Sequence, residues 1–153
     1  MNGSISKTQL LDMIQSARAQ WETLLGSIPE AWMTEPGVEG EWSVKDIVAH
    51  IAWGERENLE VAQARTLSGS ALWRLPEDER NAIVVEQNRS RELQDVLADS
   101  RRIFQQYFEA VAALSEEDLN DSGRFAGMPD GWRPWRILFD PEHYQGHASS
   151  IRG

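Results

Sequence analysis

The stretch EWSVKDIVAHIAW, residues 41–53, decides how the chain is read. Val44, Ile47, Val48 and Ile51 recur at intervals of three and four, which places them on one face of a helix. Ser43 followed by Asp46 is close to a capping box, with Asp in place of the usual Glu, so the helix is predicted to start here. Trp42, just before the cap, is placed to fold back onto the first turn as a hydrophobic staple. His50 lies three residues after Ile47, on the border of the apolar face. The helix is predicted to run to about Arg65.

Outward from this segment the same period recurs. Leu10, Ile14, Ala17, Trp21 and Leu24 make one stripe of a first helix from Ser6, its predicted N-cap, to Gly26, with Pro29 beyond. A third helical pattern extends from near Glu77 to Leu114; the part around Asn88 reads equally as a separate short helix. Ser115 to Leu119 looks like a single capped turn, and a Gly/Pro-punctuated loop follows through Gly123, Gly127, Pro129 and Gly131. The last segment runs from Pro134 to Arg152. Pro141 either kinks it or restarts it, with Asp140 as N-cap. Four amphipathic segments without strand alternation predict an all-α four-helix bundle, one domain over residues 1–153.

Composition narrows the function. A net charge of −10 disfavours nucleic acid and anionic membrane surfaces, both of which need a basic face. The absence of cysteine excludes disulfides, a thiolate nucleophile and cysteine-ligated metal. No apolar run approaches the ~20 residues of a membrane helix, and the N-terminal residues lack the basic and apolar regions of a signal peptide. A cytoplasmic location is the expectation.

The chain has three histidines, and a single ion can collect them all. His143 and His147 are four apart, so on a helix they project from one face a turn apart. With His50 they make three neutral imidazoles around an open position, a common composition for a catalytic divalent-metal centre. Such ligands leave the ion its full double charge, which would bring a bound water to a pKa of ~7 or deprotonate an incoming thiol. Because the chain has no thiol, a sulfur nucleophile would have to be a low-molecular-weight cosubstrate. Asp46 either fixes the His50 tautomer from one turn away or serves the helix cap. Trp53, Trp132 and Trp135 either wall an apolar pocket rimmed by the 123–131 loop or belong to the core. Tyr144 either donates to a substrate oxygen or joins Ala148 and Ile151 in a core stripe. Gly54 and Gly146 are candidates for leaving room beside an ion, and Glu142 is expected to be solvated.

The order WSVKDIVAHI on the second helix, then H-Y-x-x-H-x-x-x-I on the last, resembles the DinB-like metal-binding four-helix bundles over nearly the whole chain. The resemblance implies one divalent ion, zinc or nickel, on His50, His143 and His147, and a homodimer. It also implies activities ranging over thiol transfer, thiol-dependent isomerisation, hydrolysis and resistance. Asp140-Pro141 is an unusual approach to a ligand helix in that pattern. The function expected is a divalent-metal-dependent enzyme acting on a small molecule, a hydrolase or thiol transferase in stress response or detoxification. A non-catalytic sequestration protein and a metal-free dimeric bundle are the alternatives.

Overall fold

Ser6 opens helix α1, Lys7–Gly26: its hydroxyl accepts from the Gln9 N–H, and the Gln9 side chain accepts the Ser6 N–H in return. The computed structural model describes residues 3–67 and 69–152. The buried stripe of α1 is Leu10, Ile14, Arg18, Trp21 and Leu25. Ala17 and Leu24 are half-buried beside it. The face is rotated from the predicted one because an arginine occupies an inner position, and hydrophobic periodicity counts arginine as surface.

Helix α2, Val44–Ala64, starts with the Ser43–Asp46 capping box and ends at Arg65, whose φ of 50° is left-handed. Val44, Ile47, Val48 and Ile51 are all buried. The long third helix is broken. Residues 77–88 form α3, Glu77–Asn88, and residues 93–112 form α4, Leu93–Ala112. Two observations account for the break. The Arg91 N–H bonds back to the Asn88 carbonyl at 3.1 Å, making a turn. In addition, α3 buries only Val84 and Val85, whereas α4 buries six residues as a core helix. The two segments therefore have different burial demands, and one straight axis does not meet both.

Two short helices follow, α5, Glu116–Asn120, and α6, Pro134–Leu138. The final helix α7, Pro141–Arg152, restarts at its proline, with Asp140 Oδ1 accepting the Glu142 N–H at 3.0 Å. The long helices α1, α2 and α4 pack with α7 as a four-helix bundle, α2 most extensively against α4, and α3 lies over α2. No strand is present among the described residues, and none of their helices is long and apolar enough to cross a membrane.

The loop at 121–133 departs from its expected place. The Leu67 N–H donates to the Ala126 carbonyl at 2.8 Å and the Ala126 N–H to the Arg65 carbonyl at 3.0 Å. Phe125 and Met128 are buried in the core. The loop is thus stitched to the residues after α2, about 20 Å along that helix from His50. It does not rim the histidines.

The core consists of two apolar clusters. One gathers Trp21, Ile47, Val48, Ile51, Val96, Leu97, Tyr144 and Ala148; the other gathers Leu10, Ile14, Leu59, Tyr107, Val111, Leu119, Phe125 and Leu138. A polar layer lies between them. Arg18, 5% exposed, sits between Ile14 and Trp21, Glu55 between Ile51 and Leu59, and Ser100 between Leu97 and Tyr107. The Arg18 guanidinium donates to Ser100 Oγ at 3.0 Å, Tyr144 Oη at 3.2 Å and Glu55 Oε1 at 3.4 Å, and pairs with Glu22 at 2.8 Å. The Tyr144 hydroxyl donates to the other oxygen of Glu55. The layer joins α1, α2, α4 and α7 through directional bonds, which hold their relative heights more tightly than apolar contact does.

Burial pushes the Glu55 carboxyl up to about 7, outweighing the attraction of Arg18. A raised folded-state pKa means that the folded chain holds this proton more tightly than the unfolded chain. The stabilising contribution is therefore complete below about 4.5, the ordinary value, and is lost as pH rises through about 7. We expect Glu55→Gln to flatten the Tm-versus-pH profile between those limits. An unchanged slope in that window would show that another group sets it.

Candidate metal centre

Helix α2 contributes one imidazole and α7 two. The ring centroids of His50 lie 5.6 Å from His143 and 5.2 Å from His147, and those of His143 and His147 are 5.1 Å apart. One ring nitrogen from each lies within 4.8 Å of the others, so the group can hold a metal ion. The four-residue spacing on α7 and the restart at Pro141 put both of its histidines toward α2.

Burial, reinforced by the neighbouring rings of His143 and His147, pushes His50 down to about 4. Burial and His147 likewise hold His143 below the ordinary histidine value. Both are neutral at physiological pH, the form that ligates a metal. The buried Nδ1 of His50 has no hydrogen-bond partner. An orphaned polar atom of this kind costs about 1–3 kcal/mol. It marks a cluster of lone pairs arranged for a cation rather than for internal hydrogen bonding.

The family described as the DinB superfamily matches residues 13–148, which include all three histidines. The chain belongs to the DinB superfamily. No curated protein and no solved structure was found to match it.

In this DinB-superfamily chain a further group joins the site from a loop. Glu39 Oε1 lies 2.9 Å from His147 Nδ1. The loop is held by a tight turn in which the Trp42 N–H donates to the Glu39 carbonyl at 3.0 Å, and Gly40 has φ of 60°, where a side chain would be strained. With Nδ1 taken up by the carboxylate, Nε2 is the His147 nitrogen left to ligate an ion. The Trp42 ring lies 5.3 Å from His50, so this residue walls the site as well as packing on the core. Sequence reading overlooked Glu39 because it lies outside any helix. The Gly40 turn beside Trp42 was the available signal.

The remaining candidates are scattered. Asp46 is taken up by the cap, accepting the Ser43 N–H at 2.9 Å, and does not partner His50. Tyr144 faces the polar layer, where its hydroxyl meets Arg18 and Glu55, because its neighbours on α7 point the histidines the other way. Trp135, 9% exposed, is core and donates its indole N–H to the Gly3 carbonyl at 2.7 Å. Trp132, 47% exposed, lines a separate groove with Arg136 and Ile137. Both tryptophans follow the 121–133 loop away from the histidines. Trp53 remains beside the site: it follows His50 by three residues and packs on Trp73 at 5.1 Å. A Cβ on Gly54 would meet His143 Cε1 at 3.8 Å, so this glycine borders the cluster, whereas Gly146 faces open space. Glu142 is exposed.

Proposed function

We propose that this DinB-superfamily chain is a divalent-metal-dependent enzyme acting on a small molecule, of the hydrolase or thiol S-transferase type, in stress response or detoxification. The observation that carries this reading is the convergence of three half-buried imidazoles with one nitrogen from each within 4.8 Å of the others. His50, His143 and His147 would hold the ion, zinc or nickel. When bound, such an ion supplies the positive charge that acidifies a water or thiol entering the open position.

The chain's own residues do the rest. Glu39 orients the His147 ring through Nδ1. Trp42 shields His50 from solvent on one side, and Gly54 keeps the α2 surface low beside His143. A sulfur nucleophile, if one is used, comes from a small thiol, because the chain contains no cysteine. A homodimer is the assembly this reading carries.

Elemental analysis of protein purified without an affinity tag is expected to find about one divalent ion per chain, and none in His143→Ala/His147→Ala. No stoichiometric metal, even after ions are added back, would reject the reading. Glu39→Ala is expected to weaken metal affinity about 10–100-fold while leaving the three ligands in place. Competition with a metal-binding dye would show this, and an unchanged affinity would leave Glu39 without a part in the site.

A second reading has its own support. The groove lined by Val61, Leu67, Trp73, Trp132 and Ile137 has a volume of about 770 Å³, within the range of small-molecule sites. A sequestration protein would use such a groove without turnover. His147→Ala separates the two: it abolishes turnover by an enzyme but leaves protection by a sequestering protein intact.

A further inference from the structure

Arg80 on α3 is a half-buried arginine without an anionic partner. Its Nε is shielded from solvent and makes no hydrogen bond. No carboxylate among the described residues lies within ion-pair distance of it, although acidic residues outnumber basic ones 25 to 15 in this chain. The buried Arg18, by contrast, is paired with two carboxylates. The neighbouring Asn81 also has a buried side-chain oxygen without a partner. Leaving a guanidinium partly desolvated and unpaired is costly unless a ligand completes it.

Its position connects it to the histidines. The guanidinium carbon stands 4.6 Å over the Trp73 ring. Trp73 packs on Trp53 at 5.1 Å, and Trp53 is one helical turn along α2 from His50. Trp73 is itself clamped, with its indole N–H on Glu57 Oε1 at 2.6 Å and no space for a Cβ on Gly69 beside it. The platform carrying Arg80 is therefore rigid.

We propose that Arg80 is the substrate-binding residue of this site and that it recognises an oxyanion, a carboxylate or phosphate, on the small molecule brought to the three histidines. This rests on the metal-enzyme reading above and narrows its substrate class to organic anions. The physical reason is the planar fork of the guanidinium, which matches two oxygens of a carboxylate or phosphate and offers nothing to a neutral group of the same shape. Stacking on Trp73 fixes the plane of that fork in advance, so less side-chain freedom is lost on binding.

The test is calorimetric titration of the metal-loaded protein with benzoate, phenyl phosphate and the neutral benzamide, in wild type, Arg80→Gln and Arg80→Lys. Wild type is expected to bind at least one of the two anions, and to prefer it to benzamide. Which anion binds better identifies the oxyanion. Arg80→Gln is expected to weaken that anion about tenfold to a hundredfold, with metal content and Tm unchanged. Arg80→Lys, which keeps the charge but loses the fork, is expected to fall between. Equal anion affinity in Arg80→Gln with one metal per chain would overturn the assignment of Arg80 and leave the metal centre standing. So would failure of both anions to bind metal-loaded wild type. Absence of metal from wild type would instead remove the reading on which the proposal rests.

Discussion

Replacing Arg18 by alanine is expected to destabilise the fold by about 3–5 kcal/mol, the loss seen when one partner of a buried ionic network is removed. The guanidinium meets Ser100, Tyr144, Glu55 and Glu22 from the centre of the bundle. Its deletion leaves the Glu55 carboxyl, on a side chain 9% exposed, without a counter-charge. It also removes the cation from the Phe104 ring, over which the guanidinium carbon lies at 4.7 Å. Chemical denaturation of the variant against wild type reads the effect directly. Arg18→Met combined with Glu55→Met is expected to recover much of the loss, because apolar residues of similar size replace both charges together. A single variant within about 1 kcal/mol of wild type would mean that the layer is solvated in solution and does not set the helix heights. The consequence reaches the metal centre, since Tyr144 lies between His143 and His147 on α7. If the layer holds α7 in register, Arg18→Ala should also weaken metal binding without touching a ligand.

The second large effect is a divergence between stability and function at one residue. His50→Leu is expected to abolish stoichiometric metal binding and at the same time stabilise the metal-free protein. The buried Nδ1 has no hydrogen-bond partner, and replacing such a group with an apolar one of similar size recovers about 1–3 kcal/mol. At this chain length each kcal/mol moves Tm by roughly 2–4 °C. Wild type with saturating zinc should gain about 4 kcal/mol at a thousandfold excess over Kd, whereas the variant should gain nothing. Melting curves of both proteins, with zinc and with chelator, test this in one experiment. Retained metal in the variant would remove His50 from the ligand set. A metal-free variant less stable than metal-free wild type would show that the imidazole contributes more to packing than its stranded nitrogen costs.

Much of this architecture was readable locally. The caps at Ser6 and Ser43 and the apolar face of α2 depend on residues three or four apart, and short-range hydrogen bonding and side-chain period determine such features. The pairing of His143 with His147 is legible for the same reason. The break at residues 89–92 was legible only as one of two readings, because Arg89, Ser90 and Arg91 carry neither glycine nor proline to decide it. It follows from the different depths at which α3 and α4 are buried. The tryptophans show the same limit: Trp53, Trp132 and Trp135 are alike as letters, yet one packs on Trp73 a helical turn from His50, one lies on an outer groove and one is core.

By itself, the sequence determined that the chain is helical, where α1 and α2 begin, that no cysteine takes part, and that two imidazoles share one helical face. Only the tertiary structure decided that His50 meets that face from another helix. It also decided that Glu39 reaches His147 from a loop 108 residues away, that Arg18 lies inside a stripe read as apolar, and that Arg80 is left without a carboxylate. The division has one physical cause. Capping and periodicity are short-range and are written in neighbouring residues. Desolvation and charge pairing depend on which distant groups folding brings into contact, and a polar residue has the same local signature whether it ends in water, in a buried network or beside a metal centre.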